Sequence, residues 1–180
     1  MITRLVAAAS VLFALSTPAW AADPNNLTLF NAIQKQVLGY SHFTIFDSVQ
    51  MRLDNGVVML SGKVTMPYKS TDIAKRVGKV AGVTQVVNRI EVLPVSMLDD
   101  ELRFRIARAI YGNANFWGYG SMVNPPIHVI VERGRVTLEG VVNNNVDRML
   151  ARSIASSFLA FSVTNDLKTT AEAKAELEKL

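Results

Sequence analysis

Cysteine is absent from the 180-residue sequence, and histidine occurs only twice, at His42 and His128. The lack of cysteine excludes disulfide bonds, thiol nucleophiles and thiolate metal sites, so packing alone must stabilise the fold. Neither histidine has a second ligand at a metal-like spacing, which favours structural or solvated roles for both. The sequence also lacks a phosphate loop, a nucleophile elbow and a zinc-binding helix motif. We therefore predict no enzyme activity, no catalytic residue, no cofactor and no metal site.

A strong excess of charge of one sign is lacking as well. The 19 Lys and Arg residues face 15 Asp and Glu residues, which leaves a net charge of +4. This balance is a mild bias towards anionic surfaces and falls far short of the excess that is typical of nucleic-acid-binding proteins. We expect no nucleic-acid partner.

An apolar run at residues 5–15 follows Arg4 and precedes the small-residue pattern Ala-Trp-Ala at 19–21. This order is typical of a secretory signal peptide that is cleaved before Ala22. The run is too short to span a bilayer, which needs about 20 apolar residues. We expect an exported, periplasmic protein that loses residues 1–21 and keeps no transmembrane segment in its mature chain.

A duplicated pattern organises the rest of the sequence. Alternating apolar residues on both sides of Gly56 predict a β-hairpin with a tight glycine turn, and the same alternation recurs around Gly134. The second strand of each hairpin carries a further glycine, Gly62 in the first copy and Gly140 in the second. The repeat favours two small units over one large catalytic core.

Amphipathic helices precede and follow each hairpin, and one more strand ends each unit. We predict helix caps at Ser70 and Asn145. The sequence therefore predicts an α+β fold of two tandem αββαβ modules, each a three-stranded mixed sheet with two helices on one face. Asn88 and Asn165 occupy equivalent inward positions in the last strands, where they either line a ligand site or, as we favour, bond the backbone.

The pattern Val-x-Leu-x-Gly-x-Val after a glycine turn, followed by a helix, Gly82-Val83 and Val86-x-Asn88-x-Ile90, resembles the BON domain. The resemblance covers residues 27–92 and 98–168, and the second copy departs from it at Leu159-Ala160. It implies paired αββαβ modules in the bacterial envelope, associated with osmotic or envelope stress and proposed to bind phospholipid. It implies no catalytic residues. The positions that match the motif are scaffold: Gly56, Gly62, Gly134, Gly140, Asn88 and Asn165.

We accordingly divide the chain into four segments. Residues 1–21 are the signal peptide, 22–93 the first BON-like domain, 98–168 the second, and 169–180 a helical or frayed tail rich in Ala, Glu and Lys. The run Asp99-Asp100-Glu101 opens a predicted helix after a capping serine, Ser96. These carboxylates either form a cation or acid–base site or, as we favour, complement the helix dipole.

The two units differ most in the second one, which has a longer aromatic and glycine-rich segment before its hairpin. On the preceding helix, Phe104 falls opposite the buried stripe, beside two arginines. The candidate lipid or partner contacts are Phe104, Arg105, Arg108, Phe116, Trp117 and Tyr119. Aromatic and basic side chains suit a headgroup surface, although the same residues suit packing between the units or a protein or glycan partner.

Two hypotheses of function follow. The first is a non-enzymatic envelope protein whose paired modules bind an anionic phospholipid surface or an envelope protein and support envelope integrity under stress. The alternative is a soluble protein-interaction or small-ion-binding module that makes no lipid contact.

Overall fold

The computed structural model describes residues 24–178, so the predicted signal peptide at 1–21 lies outside the described residues. Two units with the same αββαβ order follow one another, and the second has two additional short helical elements before its hairpin. The first contains α1 (Pro24–Leu38), β1 (Ser48–Asp54), β2 (Val57–Val64), α2 (Pro67–Val77) and β3 (Gln85–Val92). The second contains α3 (Met97–Tyr111), a 3-10 turn (Ala114–Phe116), α4 (Trp117–Gly120), β4 (Ile127–Glu132), β5 (Arg135–Val142), α5 (Asn145–Ser156) and β6 (Ser162–Thr169). A last helix, α6 (Thr170–Leu177), follows the second unit.

Each unit has a three-stranded mixed sheet. In the first, β2 lies between β1, its antiparallel partner, and β3, its parallel partner. In the second, β5 occupies the same place between β4 and β6. The parallel pairs result from the strand-helix-strand connections through α2 and α5. The predicted fold class, two tandem αββαβ modules, is confirmed.

The hairpin turns require left-handed backbone. Asn55 has φ 47° and Gly56 φ 79° in the first turn, and Arg133 has φ 52° and Gly134 φ 72° in the second. Two consecutive positive φ angles match the right-handed twist of the flanking strands, which is why Asn-Gly favours such turns. Arg133 is a costlier residue there than Asn55, because the short polar side chain of Asn can hydrogen-bond the local backbone in this region.

The glycines of the middle strands allow close approach of a neighbouring chain segment. Gly62 has φ 122° and Gly140 φ 119°. A Cβ on Gly62 would overlap the carbonyl oxygen of Ser48, and one on Gly140 would overlap that of Pro126. Both positions therefore require glycine for steric as well as conformational reasons.

The helix starts differ from those predicted. Helix α2 begins with Pro67 at its first position and Met66 as a cap without a side-chain bond, so Ser70 lies within the helix. Proline needs no N–H partner at that position, which makes a polar cap less necessary. Helix α5 is capped by Asn144, whose side chain accepts from the N–H of Asp147, one residue before the predicted cap.

Each unit has its own apolar core between helices and sheet. The core of the first unit is formed around Ile33, Leu60 and Ile73, and only residues of that unit contribute to it. The core of the second is built around Ile106, Phe116 and Leu138, and Ile45 and Phe46 of the first unit pack against it. The packing of the two units is therefore asymmetric.

The segment from α1 to β1 docks the first unit on the second sheet. The N–H of Val129 in β4 donates to the carbonyl of Ile45 at 2.8 Å. Glu139 of β5 accepts from Ser48 Oγ at 2.5 Å and from Gln50 Nε2 at 3.1 Å. Ile130, on the sheet face away from the helices of its own unit, is also buried.

Candidate functional site

Phe116 and Tyr119 belong to the core of the second unit. Phe116 is fully buried and Tyr119 is 5% exposed. The Tyr119 hydroxyl donates to Asp147 and accepts from the N–H of Asn143, both at 2.7 Å. Burial and the neighbouring Asp147 carboxylate raise the pKa of Tyr119, so it stays a neutral donor. The expectation that these two residues contact a lipid or partner was wrong, because the glycine-rich segment folds inward.

The other four predicted contact residues are exposed but do not form one cluster. Phe104 is 61% exposed and meets the Phe46 ring edge-on at 4.7 Å between centroids. Arg105 and Arg108 are exposed on α3. Trp117, 79% exposed, lies in α4, beyond the C-terminal end of α3. Only Arg105 reaches the groove described next.

An open groove of about 700 Å³ runs along the start of α3. Its floor and walls come from α3, the β4–β5 turn and the loop between α5 and β6. The lining residues of this α3 groove are Ser96, Leu98, Asp99, Glu101, Leu102, Arg105, Arg133, Gly134, Leu159, Ala160 and Phe161.

The apolar lining of the α3 groove is unusually exposed. Leu159 is fully exposed, Phe161 is 86% exposed and Leu98 is 79% exposed. Phe161 is held in place because its N–H donates to the carbonyl of Gly134 at 2.9 Å. Contiguous exposed apolar side chains of this size mark an interaction surface.

Two arginines accompany this apolar lining. Arg105 lies over the ring of Phe158, 5.5 Å from its centroid, and pairs with Glu101 at 3.7 Å on the adjacent turn of α3. Such an exposed ion pair contributes little, so its arginine remains available to another anion. Arg133 is exposed in the β4–β5 turn. The groove thus combines exposed apolar side chains with two arginines and two carboxylates, Asp99 and Glu101.

The corresponding loop of the first unit, between α2 and β3, lacks the exposed apolar pair. Allowing for the offset of 77 residues between β3 and β6, Gly82 corresponds to Leu159 and Thr84 to Phe161. The backbone bond is shared, since Thr84 N–H donates to Gly56 at 2.8 Å. Leu29 lies against Gly82 in the first unit. The exposed apolar pair is therefore an addition to the scaffold, and the departure from Gly82-Val83 was the sequence signal for it.

Asn88 and Asn165 join the last strand of each unit to its covering helix. The Asn88 amide donates to the carbonyl and hydroxyl of Ser70, at 3.2 and 3.0 Å. The Asn165 amide donates to the carbonyl of Arg148 at 2.9 Å. These bonds agree with the scaffold role favoured for both residues.

A second, polar cleft of about 250 Å³ lies between Lys63 of the first unit and the outer face of the second sheet. Lys63 forms an ion pair there with Glu132. Within residues 24–178, no group of three or more His, Asp or Glu side chains is arranged to hold a metal ion. None of the helices in that range is long and apolar enough to cross a bilayer.

Comparison with known proteins identifies the two units. The family model of the BON domain matches residues 32–94 and 99–171. A search of curated proteins gave no match.

Two solved structures with some similarity are of CdsD, a structural protein of the type III secretion system of Chlamydia trachomatis. One is 15% identical, covers 83% of this chain and 97% of that chain and has a TM-score of 0.29. The other, its C-terminal domain, is 12% identical, covers 77% and 96%, and has a TM-score of 0.27. TM-scores this low support no conclusion about this chain.

Proposed function

Because the chain belongs to the BON domain family, a non-catalytic binding family that occurs in envelope proteins, we propose that it binds an anionic phospholipid surface in the periplasm. Its paired units, residues 22–93 and 98–168, act without catalysis and support envelope integrity under stress. Export would be followed by cleavage before Ala22. The contact surface is the α3 groove of the second unit.

The exposure of Leu159 and Phe161 beside Arg105 and Arg133 is the observation that carries this proposal. Burying a Leu or Phe side chain contributes about 1.5–3 kcal/mol, so water is a poor environment for both. The boundary between headgroups and acyl chains covers such side chains and leaves arginines at the level of the phosphates. Each basic residue near an anionic leaflet adds about 1 kcal/mol.

Trp117 and Phe104 are additional candidates for contact with the bilayer. Trp117 is 79% exposed, and indole rings settle at the headgroup level of membranes. Arg108, exposed on α3, adds positive charge between them along the helix. The surface that meets the membrane would then extend from the α3 groove along the second unit.

Vesicle flotation tests the proposal with a double variant that removes the apolar pair, Leu159→Ser with Phe161→Ser. Binding to vesicles that contain phosphatidylglycerol should weaken at least about tenfold, which corresponds to about 1.4 kcal/mol. The matched control changes two exposed residues of α5, Val146→Ser with Met149→Ser, which are 73% and 64% exposed. This control should bind as the parent protein does.

The charge contribution is tested by Arg105→Gln with Arg133→Gln. Binding should become weaker and less sensitive to salt, and neutral phosphatidylcholine vesicles should bind poorly throughout. Equal binding of the parent and the Leu159/Phe161 variant would contradict the α3 groove as the contact surface, and no flotation with either lipid would contradict lipid binding. A protein partner cross-linked through position 159 would then favour the alternative, a soluble interaction module.

The stress role is tested in cells. A strain that lacks the protein should lose viability under osmotic shock, and the parent gene should restore it while the Leu159/Phe161 variant does not. Equal rescue by both genes would separate any stress role from the α3 groove.

A further inference from the structure

His128 lies at the junction between the two units. It is in β4, directly opposite Glu139 of β5. Its ring lies 5.5 Å from that of Phe43 in the first unit, between centroids. The adjacent Val129 provides the backbone bond to Ile45 described above. Part of the cover over the imidazole therefore comes from the first unit.

The docked state disfavours a positive charge on His128 on balance. Its Nδ1 is buried and has no hydrogen-bond partner in the part of the chain that the structure describes. Burial lowers the pKa of His128, whereas the backbone carbonyls of Asp47 and Thr44 and the Glu139 carboxylate oppose this shift without cancelling it.

The charged groups around the ring already have partners, within the first unit or across the interface. Glu139 accepts from Ser48 and Gln50 of the first unit. Asp47 is buried and bonded to the ammonium of Lys69 at 2.7 Å. Farther along the same face of β4, Glu132 pairs with Lys63 of the first unit. A proton on His128 would compete with these contacts or stay uncompensated.

We propose that His128 makes the docking of the two units pH-dependent, with neutral imidazole holding them together and imidazolium releasing them. The sign follows from linkage. A group whose pKa is lowered by docking is protonated more readily in the undocked state, so docking weakens as the pH falls below about 6.5. Each unit of lowering corresponds to about a tenfold weaker docking constant in acid. Release would separate Phe46 from Phe104 and uncover both rings. This inference does not depend on lipid binding.

Distance measurements between spin labels test the proposal on the whole mature chain in the absence of lipid. Since the sequence has no cysteine, Thr71→Cys in α2 and Ser153→Cys in α5, both exposed, give one label in each unit. The distance distribution should be narrow at pH 7.5 and broaden towards pH 5. His128→Gln should abolish this broadening. The control His42→Gln, which changes the other, exposed histidine, should preserve it.

The Cε1–H signals of the two histidines, followed by NMR, connect the opening to the responsible group. The change in distance should follow the titration of His128. Either of two results would overturn the proposal: a constant distance after His128 has become protonated, or equal broadening in His128→Gln and the parent. If His128→Gln lowers stability at pH 7.5, His128→Phe provides the same comparison with an apolar ring that suits the neighbouring Phe43.

Discussion

Asp99, in the first turn of α3, holds the β4–β5 turn through the backbone N–H of Gly134 at 2.8 Å. Its second carboxylate oxygen accepts from the N–H of Arg133 at the same distance. Ser96 caps α3, because its side chain accepts from the N–H of Asp99. The Asp99 side chain bonds the hairpin turn and does not complete a capping box with Ser96. The acidic run thus contains a structural carboxylate that shapes one wall of the α3 groove.

Asp99→Ala should destabilise the second unit by about 2–3 kcal/mol, because two charge-assisted hydrogen bonds to a tight turn are lost. Urea denaturation measures the change as a lower midpoint at unchanged slope. Glu101→Ala, at an exposed position on the same turn of the helix, is the control and should change the free energy of unfolding by less than about 0.5 kcal/mol. Similar losses of stability in the Asp99→Ala and Glu101→Ala variants would argue against a specific role of Asp99.

Gly140→Ala should destabilise the protein by roughly 2–4 kcal/mol, since the new Cβ would overlap the carbonyl of Pro126 at a backbone conformation that disfavours side chains. Gly118→Ala provides the control, because nothing lies within 4 Å of a Cβ at that position. Thermal unfolding compares the two. A neutral Gly140→Ala variant would mean that β4 can shift away from β5 at little cost.

Phe116→Ser and Trp117→Ser are neighbours in sequence with opposite expected effects. The first removes a fully buried ring and should cost about 3–5 kcal/mol, whereas the second changes a side chain that is 79% exposed and should leave the unfolding midpoint unchanged. Far-ultraviolet circular dichroism and urea titration separate the two outcomes. Trp117→Ser should alter only binding to vesicles.

Asp47→Asn should remove part of the acid sensitivity of the first unit. Burial raises the pKa of Asp47, but hydrogen bonds from Lys69, Thr65 and Thr44 outweigh it and hold the pKa below its usual range. The stability from this carboxylate is therefore present above about pH 3.9 and is lost as the pH falls through the lower native value.

At pH 7 the Asn variant leaves the Lys69 ammonium without its buried partner and should lose about 3–5 kcal/mol. Urea titrations from pH 7 to pH 3 should show a smaller difference from the parent at the acid end. Asp166→Asn, at an exposed site in β6, is the control. A difference from the parent that stays constant with pH would show that Asp47 does not carry the acid response.

The strands and their pairing could be predicted because alternation around Gly56 and Gly134 reports directly which face is buried. The inward position of Phe116 could not, since an irregular segment has no period from which burial follows. Ile45 and Phe46 were missed for another reason: their partners lie in the other unit, and no local pattern records a docking surface. The segment around Leu159 and Phe161 differs from the first repeat in sequence, but that difference alone does not predict an exposed apolar surface.

The packing of Ile45 and Phe46 against the core of the second unit has a consequence for the order in which the two units fold. The first unit finds every member of its core within its own residues, so it can fold before the second unit is complete. The second, which arrives later, completes its core on a surface that the first already presents. Because synthesis runs from the N-terminus, the docking surface of the first unit is complete before the second unit needs it, and the reverse order of units would not provide this.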